Sequence, residues 1–133
     1  MTSLSPSPFL RRVLMADAAV SAGTGALLML GADRVDGLLG LPSTLLFEAG
    51  LSLLPFAALV IYLATRAAPA RPFVWAIIAY NAMWAVDSIL LLVTGWVAPT
   101  ALGVAFVIAQ AVAVLGFAEL EVFGLRRSLP ELA

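Results

Sequence analysis

Four apolar stretches, each about 20 residues or longer, constrain this chain more than any other feature of its sequence. They cover roughly residues 13–32, 44–65, 73–96 and 100–124. An α-helix of about 20 residues, rising 1.5 Å per residue, crosses a hydrocarbon core about 30 Å thick. The breaks between the stretches are short and hold charged residues, prolines and glycines. The pattern predicts an all-α membrane protein in which residues 1–133 form one transmembrane domain, a bundle of four transmembrane helices.

Composition supports the same class and excludes several functions. Hydrophobic residues make up 63% of the chain and charged residues 11%, whereas soluble domains have about 45–50% and about 25%. The sequence contains no cysteine and no histidine, which excludes disulfides, thiol chemistry and metals or haem held by these residues. It also has no glycine-rich phosphate loop and no nucleophile motif. We therefore expect neither an enzyme nor a cofactor or metal site.

The arginines predict the orientation of the bundle. Six of the seven fall at one end of the predicted helices, before the first, between the second and third, and after the fourth: Arg11, Arg12, Arg66, Arg71, Arg126 and Arg127. Only Arg34 falls at the other end, beside Asp33 and Asp36. The positive-inside rule then places both termini in the cytoplasm of a protein of the inner membrane. The net charge of −1 argues against nucleic acid as a partner.

A modest internal repeat relates the two halves of the chain. Aligning "ADAAVSAGTGALLMLG" (16–31) with "YNAMWAVDSILLLVTG" (80–95) places Asp17 opposite Asn81, and "LPFAAL" also resembles "LGFAEL" (115–120). Such a repeat predicts two tandem helical hairpins of the same orientation. The alternative is a chance match between helices rich in alanine and leucine.

Polar residues inside the apolar stretches are the candidate functional residues. A charged residue at the centre of a membrane helix costs about 2.5–3.5 kcal/mol, so it should face the bundle or water. We interpret five of them as a ligand or ion pathway: Asp87, Glu48, Asp17, Asn81 and Gln110. Asp87 and Glu48 come first, since they share a depth far from the arginines and no basic residue lies within the spans. We expect these two carboxylates to line a cavity between the hairpins.

Structural roles are the alternative for the same residues. Polar side chains often join membrane helices through hydrogen bonds worth about 0.6 kcal/mol on average. Asp17 lies close enough along the chain to Arg11 or Arg12 to pair with one of them, and Glu119 and Glu121 are expected to extend to the membrane surface. Small residues at four-residue spacing predict close helix packing, within the chain or between subunits. These residues are Ser21, Gly25, Ala105, Ala109 and Ala113.

The stretches "RRVLMADAAVSAGTGALL", "NAMWAVDSILLLVTGW" and "LGFAELEVFGLRR" resemble small four-helix integral membrane proteins of bacteria. The resemblance implies the membrane and the bundle, but none of the stretches is a motif for a particular activity. Two functions stay open. One is a small carrier, channel or binding protein for a cation, a proton-linked solute or a small amphipathic ligand. The other is a non-catalytic accessory, scaffold or lipid-binding subunit, whose partners are membrane lipids and either further copies of the chain or a larger membrane complex.

Overall fold

The structure is a computed structural model and describes residues 4–130. Within that range the chain forms four α-helices and two short strands. In chain order they are β1 (Leu4–Ser5), α1 (Pro8–Leu39), α2 (Ser43–Thr65), α3 (Arg71–Val93), α4 (Ala101–Arg126) and β2 (Leu129–Pro130). All four helices are long and apolar enough to cross a membrane, so the predicted helical membrane bundle is confirmed. The antiparallel pairing of β1 with β2 brings the two ends of the described chain together.

Two ends of the bundle need names. The arginine end holds the start of α1, the α2–α3 connection and the end of α4, where Arg11 donates hydrogen bonds to the backbone carbonyls of Ala64 and Arg66. The loop end holds the α1–α2 and α3–α4 connections, where the backbone N–H of Thr100 donates to the carbonyl of Leu39 at 3.0 Å. Segments distant in sequence therefore meet at each end.

Helix α1 is longer than the sequence indicated, whereas the other three helices begin and end within three residues of their predicted limits. It runs from Pro8 to Leu39 rather than over 13–32, because hydropathy marks the apolar part of a helix and not its ends. The side chain of Ser7 caps its start, and Gly40 ends it with a positive φ of 66°. The charged residues of the first break, Asp33, Arg34 and Asp36, are consequently helical.

Helices α1 and α2 pack closely through glycines. A Cβ atom on Gly50 would lie 2.5 Å from the carbonyl oxygen of Gly25 and 2.7 Å from the backbone nitrogen of Met29. Ser21 and Gly25, which the sequence placed on a packing face, are both buried. Absence of side chains at the two glycines is what allows the backbones to approach.

Within the chain, helix α4 packs through a face other than its alanine stripe. Ala105, Ala109 and Ala113 are exposed on the outside of the bundle, so they make no close helix contact within the chain. The close contact is made instead by Gly103, where a Cβ atom would overlap the carbonyl of Leu39. Spacing of small residues identified a stripe but not the side of α4 that faces α1. A contact of the three alanines with another subunit stays a prediction.

The core divides into two clusters of buried residues. The cluster in the half near the arginine end draws on all four helices: Leu10, Leu14, Ala18, Phe56, Val60, Leu63, Ala64, Val74, Ile77, Ile78, Ala118 and Leu125. The cluster in the other half is smaller: Leu28, Ala32, Leu39, Leu41, Leu46, Leu53 and Val107. Of the neighbouring helices, α2 and α3 contact each other least. The seam between these two helices is therefore the weakly packed side of the bundle.

Candidate functional site

Four polar side chains meet inside the half of the bundle near the arginine end. We call Asp17, Ser21, Asn81 and Glu121 the acid–amide cluster; α1 supplies the first two, α3 the third and α4 the fourth. Asp17 and Glu121 are 0% exposed, Asn81 1% and Ser21 5%. Burial of carboxyl groups at this level requires that their oxygens receive hydrogen bonds.

Asn81 joins the two acids of the cluster. Its Nδ2 donates to Oδ2 of Asp17 at 2.8 Å and to Oε1 of Glu121 at 2.9 Å. The hydroxyl of Ser21 donates to the other oxygen of Asp17 at 3.1 Å. Among the buried side-chain nitrogen and oxygen atoms of the described residues, Oε2 of Glu121 is the one without a hydrogen-bond partner. An unsatisfied buried polar group of this kind costs about 1–3 kcal/mol.

Two expectations about this region are wrong. Asp17 does not pair with Arg11, whose guanidinium donates instead to carbonyls at the end of α2, where a helix has carbonyl groups without partners. Glu121 does not extend to the membrane surface but is fully buried, whereas Glu119 is exposed. The available signal was that Gln110 and Glu121 share one helix face, because eleven residues complete about three turns.

A cavity of about 570 Å³ opens between the helices in the half near the loop end. Glu48 from α2 and Asp87 from α3 both line it, which is the arrangement that their shared depth predicted; whether they bind or conduct anything stays a prediction. The rest of the lining is mainly apolar and aromatic, and includes Leu28, Leu46, Trp84, Leu91, Trp96, Phe106 and Val107. Both carboxylates are exposed within the chain.

One side of the cavity is held by a hydrogen-bonded group on α3 and α4. The indole Nε1 of Trp84 donates to Oε1 of Gln110 at 2.6 Å, and Nε2 of Gln110 donates to the hydroxyl of Ser88 at 2.9 Å. Ser88 in turn donates to the backbone carbonyl of Trp84 at 2.7 Å. Each polar side chain here is fixed by its neighbours, so this side of the cavity has a defined shape.

The five predicted pathway residues thus fall into two groups. Asp17 and Asn81 belong to the acid–amide cluster, and Glu48, Asp87 and Gln110 belong to the cavity. The groups lie at successive levels, since Trp84 follows Asn81 by three residues, about 4.5 Å along α3. Sequence reasoning missed Glu121 as a member of the cluster and Trp84 as a hydrogen-bonding residue of the cavity.

Comparison with known proteins adds no family to these observations: the chain matches no protein-family model, no curated protein and no solved structure. Among the described residues, no group of three acidic side chains is placed to hold a metal ion. The functional interpretation is accordingly built from the geometry of the cavity and of the cluster.

Proposed function

We propose that this chain is a small membrane carrier or binding protein for an amphipathic cation, which it holds in the cavity beside Glu48 and Asp87. The observation that carries the proposal is the combination of an apolar lining with two exposed carboxylates from facing helices. Ligand sites of about 300–1,000 Å³ are typically apolar with a few placed polar groups, and a cavity of about 570 Å³ falls in that range.

The chemistry of the lining favours a positive charge on the ligand. The cavity lining holds two carboxylates and no basic residue. A ligand that carries a positive charge would therefore stabilise the charged form of these carboxylates. Trp84 and Trp96 line the same cavity, and a cation over an aromatic ring gains about 0.5–2 kcal/mol. Leucine and phenylalanine side chains of the lining would bury the apolar part of the ligand.

The topology that belongs to this proposal is two tandem hairpins with both termini in the cytoplasm, so that the cavity lies in the outer half of an inner membrane. Clustering of arginines at one end supports the orientation. The hydrogen bond between Asp17 and Asn81, which occupy equivalent positions of the proposed repeat, supports the hairpin pairing.

Because the chain has no cysteine, single cysteines at Arg66 and Gly95 test the orientation: an impermeant maleimide added to intact cells should label only the variant at Gly95.

Ligand binding is tested with tetraphenylphosphonium and its anionic counterpart tetraphenylborate, which has the same shape. Titration of the purified protein in detergent, followed by tryptophan fluorescence, should show binding of the cation and much weaker binding of the anion. Combining Glu48→Gln with Asp87→Asn should weaken binding of the cation at least tenfold, about 1.4 kcal/mol. Glu119→Gln is the control, because Glu119 does not line the cavity. Equal binding of both ions, or binding unaffected by the double variant, would contradict the proposal.

One observation favours the second function, an accessory or scaffold subunit. Ala105, Ala109 and Ala113 form an exposed stripe on α4, and such stripes let membrane helices approach closely. A cysteine at Ala109 should then form a disulfide-linked dimer readily if copies of the chain meet here, whereas a cysteine at the equally exposed Leu115 on another face should not. Recovery of a stoichiometric partner protein from the native membrane would support a larger complex.

A further inference from the structure

We propose that the acid–amide cluster is a binding site for a single proton, held between the carboxyl groups of Asp17 and Glu121. The inference goes beyond the ligand proposed for the cavity and does not depend on it. It assigns a ligand to a buried group of residues that the cavity does not use.

The first argument is a count of donors and acceptors. The two carboxyl groups present four oxygens, and the hydrogen bonds from Ser21 and Asn81 reach three of them. The fourth, Oε2 of Glu121, is buried without a partner. The amide nitrogen of Asn81 bonds to both acids and so holds the two carboxyl groups close together. One proton on the pair supplies the missing donor, because a protonated carboxyl group donates one O–H. No second proton is needed, because the other three oxygens already receive a hydrogen bond.

The second argument concerns charge. None of the hydrogen bonds to the cluster comes from an arginine, and the guanidinium of Arg11 is held by Ala64 and Arg66. Two uncompensated negative charges in an apolar interior cost several kcal/mol each. One shared proton leaves a single charge, spread over a hydrogen-bonded pair. Since no group of three acids among the described residues suits a metal, a divalent cation is not the alternative.

The other titratable groups of the four helices are directed elsewhere. Tyr80, one residue before Asn81, exchanges a hydrogen bond of 2.8 Å with Ser52. Glu48 and Asp87 line the cavity. The remaining groups on the helices are exposed or partly exposed: Arg12, Asp33, Arg34, Asp36, Tyr62, Arg71, Glu119 and Arg126. Occupancy of the site by a proton is therefore decided within the cluster.

The position of the cluster gives the proton a structural consequence. Asp17, Asn81 and Glu121 come from three different helices that pack around this point. Loss of the proton would place two like charges between α1 and α4, so proton binding is linked to the packing of these helices. The cavity begins about one turn away, at Trp84, and α1, α3 and α4 contribute to its lining as well.

Infrared spectroscopy of the protein tests the proposal. The measurement uses the Glu48→Gln/Asp87→Asn variant at neutral pH, so that the cavity acids do not contribute. We expect the C=O stretching band of one protonated carboxyl group per chain, shifted in D₂O. Adding Glu121→Gln should remove the band while keeping the fold, because the amide of glutamine supplies the missing donor. Glu119→Gln is the matched control and should leave the band unchanged.

Three results would overturn the proposal. The first is the absence of a protonated carboxyl band, and the second is a band equal to two acids per chain. The third is a melting temperature raised by sodium chloride but not by choline chloride, with the rise lost in Glu121→Gln, which would make the cluster a sodium site. If the Glu121→Gln variant does not fold, the band is assigned instead by labelling all glutamate carboxyl groups with ¹³C. A band that fails to shift on glutamate labelling and on aspartate labelling would then reject the assignment.

Discussion

The two halves of the bundle treat a pair of carboxyl groups in opposite ways. Near the arginine end, Asp17 and Glu121 are fully buried and joined through Asn81. Near the loop end, Glu48 and Asp87 are exposed to a cavity and lie among apolar side chains. Each pair comes from two different helices, so the residue types do not explain the difference.

The difference follows from how the helices meet. The first pair lies where α1, α3 and α4 converge and the larger core cluster fills the surrounding space. The second pair lies on α2 and α3, the neighbouring helices that contact each other least. The helices that an intramembrane acid faces thus decide its environment. Closely packed helices enclose it in a hydrogen-bonded group, and weakly packed helices leave it beside an open cavity. Substitutions made separately in each half of the bundle test the comparison.

The largest effect is expected from Asn81→Leu. The substitution leaves Asp17 and Glu121 buried without the amide that joins them, and removal of one member of a buried charged network costs about 3–5 kcal/mol. Unfolding by sodium dodecyl sulfate in mixed micelles, followed by circular dichroism, measures the loss. Asp87→Leu on the same helix is the control, with an expected change below about 1 kcal/mol because Asp87 is already exposed. Equal losses in the two variants would mean that the two halves do not differ as described.

Gly103→Ala should have the next largest effect. Its new Cβ atom would overlap the carbonyl of Leu39, so α1 and α4 must separate at the loop end. Overpacking of this kind costs about 1–3 kcal/mol. Gly116→Ala is a matched control on the same helix, because a Cβ atom there has no neighbour within 4 Å. The same unfolding assay should therefore separate the two variants, and a stable Gly103→Ala protein would show that the close contact is dispensable.

The fold of the chain was largely predictable from its sequence, because hydropathy identifies membrane helices by a simple physical requirement. In a bilayer every backbone group must be bonded internally, and long apolar stretches satisfy this as helices. The end of α1 was not predictable from hydropathy, since three charged residues interrupt the apolar pattern before Gly40 ends the helix with its positive φ. The packing face of α4 depends on where Gly103 meets α1, which is a tertiary contact.

The site was predictable only in part. Depth along the helices predicted that Glu48 and Asp87 lie at one level, and both line the cavity. The shared helix face of Gln110 and Glu121 was a signal for the burial of Glu121, but periodicity alone does not say which face of α4 points into the bundle. The direction of the Glu121 side chain is set by the hydrogen bond from Asn81, on a different helix. The direction of such a side chain therefore depends on contacts between helices that are distant in sequence, which periodicity does not reveal.

Gln110→Leu is expected to have a moderate effect on the cavity half. It removes the hydrogen bonds with Trp84 and Ser88, and two membrane hydrogen bonds at about 0.6 kcal/mol each amount to about 1 kcal/mol. Tryptophan emission should shift as the indole of Trp84 loses its acceptor. Ser88→Ala removes only one of the two bonds and should lose about half as much stability. A loss as large as that of Asn81→Leu would show that the cavity is as tightly organised as the cluster.

The smallest effect is expected from Tyr80→Phe, at the seam between α2 and α3. Tyr80 bonds to Ser52 at 2.8 Å and stacks on Phe56 with ring centroids 4.0 Å apart. Phenylalanine keeps the stacking and loses only an exposed hydrogen bond, so the expected cost is about 0.6 kcal/mol or less. Tyr80→Leu also removes the aromatic pair, which adds about 0.5–1.5 kcal/mol. A double-mutant cycle with Ser52→Ala isolates the hydrogen bond. A coupling energy well above 1 kcal/mol would mean that the α2–α3 seam is firmly closed at this level, and that weak contact between these helices does not account for the cavity.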